Sequence, residues 1–248
     1  MLAYQLGSKG PEVKRIQSQL KELGYYRGPL DGDFGGGTES AVKALQKAES
    51  LTIDGVVGPK TWTRLVAGEE IPAPALLLRP LPYRCLALTG CFETNAPVPD
   101  CFAGLSGDFD GQGISFGAVQ WNLGQGSLQP LFQEMDRAHP ERLKEIFQEH
   151  YLVLQAMLKA NREEQLAWTR SIQDPRRFVL HEPWRGLFKT LGRCEEFQEI
   201  QVEAAGRLYQ SALDLCMAYG VGSERAVALM FDIKVQNGSI SDLVKAQI

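Results

Sequence analysis

Apolar residues recur along this chain mainly at helical spacing, and only rarely alternate as strands require. Near the start, Val13, Ile16, Leu20 and Leu23 fall on one face of a helix expected over Pro11–Leu23. Two shorter helical patterns follow, Thr38 to Lys47 and Pro59 to Val66, the second opened by a proline suited to a first helical turn. From Pro80 onward the reading stays helical. Helices are expected at Tyr83–Thr94, after Ser127 as N-cap (carrying Leu128, Leu131, Phe132 and Met135), at His150–Lys159 and at Glu163–Ser171. The longest is expected over Glu195–Tyr219, presenting Phe197, Ile200, Ala204, Leu208, Ala212 and Leu215, and Ser223 caps a last one. A short ribbon between Phe102 and Ser115 is the one β element expected. The fold class is therefore mostly α: a small three-helix bundle and a larger α(+β) domain.

The division between them falls at Glu69-Glu70-Ile71-Pro72-Ala73-Pro74-Ala75, whose alternating prolines favour extended backbone. The expected domains are residues 1–70 and 81–248, with a linker at 71–80. Charge changes across that boundary. Residues 1–70 hold nine basic and nine acidic side chains, and the remainder holds 17 against 21. A formal charge of −4 lacks the basic stripe a nucleic-acid binder uses to track phosphates. The longest apolar run, Ala73 to Leu78, is far short of the roughly 20 residues of a membrane span, so no membrane insertion is expected. The N-terminus, Met1-Leu2-Ala3-Tyr4-Gln5, shows neither the basic nor the apolar region of a secretory signal. Five cysteines do not complete a disulfide framework; Cys91 and Cys101 are near enough in sequence to pair, though reduced thiols are the expectation.

The first segment repeats itself. Asp31-Gly32-Asp33-Phe34-Gly35-Gly36-Gly37-Thr38 and Asp54-Gly55-Val56-Val57-Gly58-Pro59-Lys60-Thr61 share D-G-x-[FV]-G-x-x-T, an Asp-Gly turn leading into a helix start. Together with Leu6-Gly7-Ser8-Lys9-Gly10-Pro11-Glu12-Val13, Gln17, Leu20, Leu23-Gly24-Tyr25 and Trp62, these motifs closely resemble the peptidoglycan-binding type 1 domain family over residues 4–67. The resemblance implies binding to bacterial peptidoglycan or a related amino-sugar polysaccharide. Tyr25, Tyr26 and Trp62 are the aromatic side chains with flat faces for sugar rings.

In the second segment the helical pattern is broken by Gly104-Leu105-Ser106-Gly107-Asp108-Phe109-Asp110-Gly111-Gln112-Gly113-Ile114-Ser115-Phe116-Gly117. Glu93 sits before it, at a helix C-terminus beside apolar Phe92 and Cys91. The dipole and the apolar neighbours both favour a protonated carboxyl, as a general acid requires. Asp108 and Asp110, in a polar loop, are set to stay ionised. Two carboxylates in contrasting surroundings are the usual equipment of glycoside hydrolysis. The loop lacks the alternating ligands and closing Glu of a calcium site. His139, His150 and His181 have no zinc-ligand spacing, so neither metal nor cofactor is expected.

This order of features resembles the start of family 46 chitosanases and, more distantly, the lysozyme-like superfamily, over about Leu86–Leu128. The resemblance implies Glu93 as acid, Asp110 as base and Ser115 as the hydroxyl placing the attacking water, with Asp108 as the fallback base. Gln112 departs from the basic residue usual in that loop. Gln120, Trp121 and Asn122 are candidates for contacts with the sugar. The expected activity is a lysozyme-like peptidoglycan hydrolase of endolysin type, inverting, made in the cytoplasm and reaching the wall by phage-type release or another route. A chitosanase-like enzyme, a lytic transglycosylase and a non-catalytic wall-binding or phage tail component remain the alternatives.

Overall fold

The computed structural model describes residues 3–66, 75–238 and 240, and the chain divides into two units, Met1–Leu78 and Arg79–Ile248. Residues 67–74, which include 71–74 of the linker expected at 71–80, lie outside the described residues, while Ala75–Leu78 form a short 3-10 turn.

The first unit holds α1 (Pro11–Glu22), α2 (Gly36–Ala48) and α3 (Pro59–Leu65). Val13, Ile16 and Leu20 of α1 meet Val42 and Leu45 of α2 and Trp62 and Leu65 of α3 in one core, joined by Tyr4, Phe34 and Val57. Leu23 is not on that face: it is the C-cap of α1 and is exposed, because the helix has ended before its turn comes round. The N-terminal segment ties the loops in. Tyr4 and Val57 exchange backbone hydrogen bonds of 3.1 and 2.8 Å, and Lys9 bridges to Asp33.

The second unit runs through α4 (Leu81–Thr94), α5 (Gln129–Ala138), α6 (Pro140–Phe147), α7 (Tyr151–Lys159), α8 (Arg162–Ser171), α9 (Trp184–Arg193), α10 (Glu195–Ala204), α11 (Gly206–Ala218) and α12 (Glu224–Asn237). Between α4 and α5 lie three two-residue strands, β1 (Leu105–Ser106), β2 (Ser115–Phe116) and β3 (Trp121–Asn122), antiparallel in that order. One core gathers Phe116, Phe132, Phe188 and Phe197, with edge-on and stacked rings 5.2–6.2 Å apart. A second core joins α4 to α11 and α12 through Leu86, Phe102, Ala212 and Phe231. Among the described residues no helix is long and apolar enough to cross a membrane.

Several expectations need correction. The helix expected over Glu195–Tyr219 breaks at Ala205, before Gly206, a poor helix former. The break lets α10 serve the first core and α11 the second. Ser127 is not the N-cap of α5; that position is Leu128, and the Ser127 hydroxyl instead accepts from Asn122 N at 2.8 Å. The β element reaches beyond Ser115 to a third strand, and α6 and α9 were not expected at all. Ser223 does cap α12, accepting from Ala226 N. All five cysteines are free. Cys91 and Cys101 hydrogen-bond to one another without being joined, and burial pushes the Cys101 thiol up.

Candidate functional site

The position of Glu93 follows from how α4 is held. Its buried face carries Tyr83, Leu86, Ala87, Thr89 and Gly90. A Cβ at Gly90 would come within 2.9 Å of the Ala118 Cβ, so glycine there lets the helix lie directly on the β2–β3 turn. Thr94 is fixed in the same way against Gly104: a Cβ on that glycine would stand 2.4 Å from the Thr94 Cγ2. On another side α4 meets α12 in three steps: Arg84 pairs with Glu224 at 2.9 and 2.7 Å, Thr89 donates to Asp232 at 3.0 Å, and Gln236 donates to Glu93. Both numbers rise together, so the two helices run parallel. Glu93 is thus exposed at the end of α4. The apolar flank inferred from sequence is not formed, since Phe92 is itself 77% exposed.

The sheet is small, but its register sorts side chains by chemistry. Leu105, Phe116 and Trp121 pair across the strands, and so do Ser106, Ser115 and Asn122. Paired residues share a face, so one face is apolar and turned to the core while the other is a polar row. Asn122 donates to Ser115 Oγ at 3.0 Å and accepts from Gln125 N at 3.0 Å. With its lone pair so occupied, the Ser115 hydroxyl keeps its proton to donate elsewhere.

The loop from β1 to β2 treats its two aspartates in opposite ways. Asp108 is buried: it accepts from Gly113 N at 2.8 Å and from Arg170 Nε at 2.8 Å, and its own N–H donates to Gln173 Oε1. Asp110 is exposed, and its carboxylate accepts only a local bond from Gln112 N at 3.0 Å among the described contacts. Gly111 and Gly113 take φ of +80° and +81°, which turns the chain between these two residues. Arg162 braces the far side, donating to Gly124 O at 2.8 Å and Gln112 Oε1 at 3.0 Å. A buried carboxylate pins the loop, and an exposed one is presented by it.

The candidates for sugar contact divide accordingly. Asn122 is buried with both ends of its amide engaged, which makes it a support for Ser115 and corrects its assignment as a substrate contact. Gln120 donates to Gly117 O at 2.9 Å and accepts from Ser106 Oγ at 3.2 Å, at a backbone φ of +56°. Its amide is turned inward to hold the β2–β3 turn. Trp121 is half-buried and packs on both cores of the unit. Arg170, Arg162 and Gln173, which hold the loop, carry no signal in sequence, because each lies some 50 to 65 residues from its partner.

In the first unit the two D-G-x-x-G-x-x-T turns share one hydrogen-bond network. Gln17 Nε2 donates to Asp31 Oδ1, Asp33 O and Thr38 Oγ1 at 2.7, 2.9 and 3.2 Å, and its Oε1 accepts from Gly32 N at 2.9 Å. Gln46 makes the same set to Asp54, Val56 O, Thr61 and Gly55 N at 2.8, 3.0, 3.2 and 2.9 Å. These bonds hold the carboxyls of Asp31 and Asp54 below the usual range: for Asp31 the Gln17 amide leads, and for Asp54 the Val56 N–H.

Residues 9–65 match the family described as "Putative peptidoglycan binding domain". The first unit contains a peptidoglycan-binding domain. Relatives share about its length. The spore cortex-lytic enzyme of Bacillus cereus is 44% identical over 62 residues, 25% of this chain and 24% of that protein. The N-acetylmuramoyl-L-alanine amidase CwlM of Mycobacterium tuberculosis is 39% identical over 66 residues, 26% of this chain and 16% of that one. The chain thus spans a quarter or less of these relatives. The crystal structure of Burkholderia AP3 phage endolysin overlaps 93% of this chain and 98% of its own, at 16% identity and a TM-score of 0.26, a likeness too loose to decide anything.

Within the peptidoglycan-binding domain the three aromatic candidates part, and Tyr26 is buried with its hydroxyl donating to Pro29 O at 3.0 Å. Trp62 is fully buried in the core, so its ring has no face for a sugar, and its assignment as a binding residue is corrected. Tyr25 is half-exposed and borders a groove with Arg27, Asp33 and Ser40.

Proposed function

We propose that the chain is a peptidoglycan hydrolase, holding the wall with its first unit and cutting the glycan strand with its second by lysozyme-like acid/base hydrolysis. The observation that carries this reading is the paired treatment of the loop aspartates: Asp108 is buried and ion-paired, while Asp110 stands exposed in the loop that leads into the strand bearing Ser115. The relatives named as lytic enzymes, and the peptidoglycan-binding domain itself, support the substrate class.

In this reading Glu93 protonates the glycosidic oxygen, and Asp110 takes a proton from a water on the opposite face of the sugar. Ser115, supported by Asn122, donates to that water and fixes its direction. The reaction is a single displacement with inversion, for which the two carboxyls must stand ~6.5–9.5 Å apart with substrate bound. A glycan strand laid over Glu93 excludes water from it and brings the glycosidic oxygen to the carboxyl. Asp108 is not the base, because its oxygens are already held by Gly113 and Arg170.

The test is digestion of purified peptidoglycan, with chitosan in parallel, by the wild type, Glu93→Gln and Asp110→Asn, followed by mass spectrometry. Hydrolytic reducing ends from peptidoglycan, lost in both variants, are expected. Anhydro ends with Asp110→Asn still active would mean a transglycosylase. Cleavage of chitosan alone would move the substrate class, and no cleavage of either polymer would defeat the enzyme reading.

A further inference from the structure

The two turns of the first unit meet the same folding demand through four matching bonds each, to which Gln17 adds a longer one to Tyr26 Oη at 3.4 Å. Tyr26 belongs to the fold through that bond, and surface differences beyond it are not called for by the four shared bonds. Each turn borders a groove, of about 580 Å³ at the first copy and about 360 Å³ at the second. Both sizes are ordinary for a ligand, but their linings differ. The first groove is bordered by Tyr25, Arg27, Asp33 and Ser40, whereas the second has no aromatic side chain and is bordered by Leu51, Val56, Pro59 and Lys60.

The floor of the first groove adds an independent argument. It includes Gly35 and Gly37, and where the second copy has Pro59 and Lys60 the first has Gly36 and Gly37. A Cβ at Gly36 would meet nothing within 4 Å, and one at Gly37 would make an ordinary 3.7 Å contact with Tyr26. Neither takes a positive φ, so neither sterics nor backbone conformation requires glycine. Glycine in a first helical turn weakens the helix, and the second copy shows that larger residues fit. At Gly37 the bare backbone adds no side chain to a groove that Tyr25 also lines.

We propose that this groove at the first copy of the repeat is the glycan subsite of the first unit, seating one pyranose ring of an N-acetylated amino-sugar strand on Tyr25. The sugar's hydroxyl and acetamido groups meet a donor in Arg27 and acceptors in Asp33 (ion-paired to Lys9 at 3.1 Å) and in the Ser40 hydroxyl, whose own proton goes to Gly36 O at 2.8 Å. The second groove, without an aromatic face and with Lys60 in its lining, is scaffold. This inference rests on the reading that the first unit binds wall.

The test is co-sedimentation of the full chain with purified sacculi during brief incubation at 4 °C, with an N-acetylglucosamine tetramer and a free stem peptide as competitors. Gly37→Lys copies the second turn into the first and should weaken binding about tenfold or more, as should Arg27→Ala, while Lys60→Gly stays within about twofold. Thermal unfolding by circular dichroism checks that Gly37→Lys remains folded; if it does not, Arg27→Ala, at an exposed position, decides. The tetramer, and not the peptide, should compete. Undiminished binding by folded Gly37→Lys and by Arg27→Ala, or an equal loss in Lys60→Gly, overturns the groove while leaving wall binding in place. Competition by the peptide alone overturns the glycan assignment. A wild type that does not sediment defeats the wall-binding reading and this inference with it.

Discussion

Replacing Asp108 and replacing Asp110 by alanine should have opposite consequences, although the two residues are two positions apart in one loop. The Asp108 side chain is 2% exposed and holds two donors, Gly113 N and Arg170 Nε. Asp108→Ala leaves the buried Gly113 N–H without its acceptor, at a cost of about 1–3 kcal/mol. The ion pair contributes less than a fully buried one, because Arg170 is 59% exposed, and about 1 kcal/mol is a reasonable share. The sum is about 3 kcal/mol, which for a unit of this size lowers the melting temperature by roughly 6–12 °C. Asp110→Ala removes one exposed local bond and should cost under about 0.5 kcal/mol, a shift of about 1–2 °C. Thermal unfolding followed by tryptophan fluorescence reports on this unit through Trp121, Trp168 and Trp184, and calorimetry separates its transition from that of the first unit. Asp110→Ala should be folded and inactive, and Asp108→Ala should be destabilised. Equal melting temperatures for the two variants, or a larger drop for Asp110→Ala, would refute the division of labour between pin and base.

Gln17→Ala and Gln46→Ala should each destabilise the first unit by about 2–4 kcal/mol in urea unfolding, and by similar amounts, because each strips four equivalent partners and the fifth bond of Gln17, to Tyr26 Oη, is long at 3.4 Å. A large inequality would mean that the two networks are not equivalent. The carboxyls of Asp31 and Asp54 titrate below their ordinary value when folded, so their contribution is present above the unfolded value near 3.8 and lost as pH falls through the folded one. Melting curves of the first unit between pH 2 and 6 should therefore fall in the acid range, and a variant with both aspartates changed to asparagine should show a shallower fall. Asn122→Ala should lower kcat while leaving KM near the wild-type value, since Asn122 orients Ser115 without meeting substrate; an effect confined to KM would return it to the sugar-contact class.

What the sequence discloses and what it conceals divide along the range of the interactions. Helical spacing placed α1, α2, α3, α4, α7 and α8 because each depends on residues three and four apart. The run from Glu195 to Tyr219 misled because its apolar spacing continues across Ala205, while the choice to break there is made by two separate cores. The sequence sets Glu93 beside apolar Phe92 and Cys91. On a helix, however, adjacent residues point different ways, and Phe92 faces solvent.

The same reasoning explains why the loop was legible and its anchors were not. Gly-Asp-Phe-Asp-Gly-Gln-Gly announces two carboxylates in a tight turn, but nothing local says which is the frame and which the reagent. That distinction comes from Arg170 and Gln173, one turn apart at the end of α8 and just beyond it, which engage Asp108 across more than 60 residues of chain. The repeat in the first unit poses the same problem with a different outcome. Its Asp, Gly and Thr positions stand out as a pattern, yet the residue that makes each pattern a structure is a glutamine 14 or 8 positions upstream of its aspartate, in the preceding helix. A motif read along the chain records the side of a network that lies in a loop; the partner on the helix is fixed equally by the network but has no spacing rule to betray it. For that reason the chemistry of Asp110 is best tested through Asp108 and Arg170. A base whose frame can be loosened from 60 residues away should lose rate in Arg170→Ala with Asp110 itself untouched, and full activity in that variant would mean that the loop needs no pin.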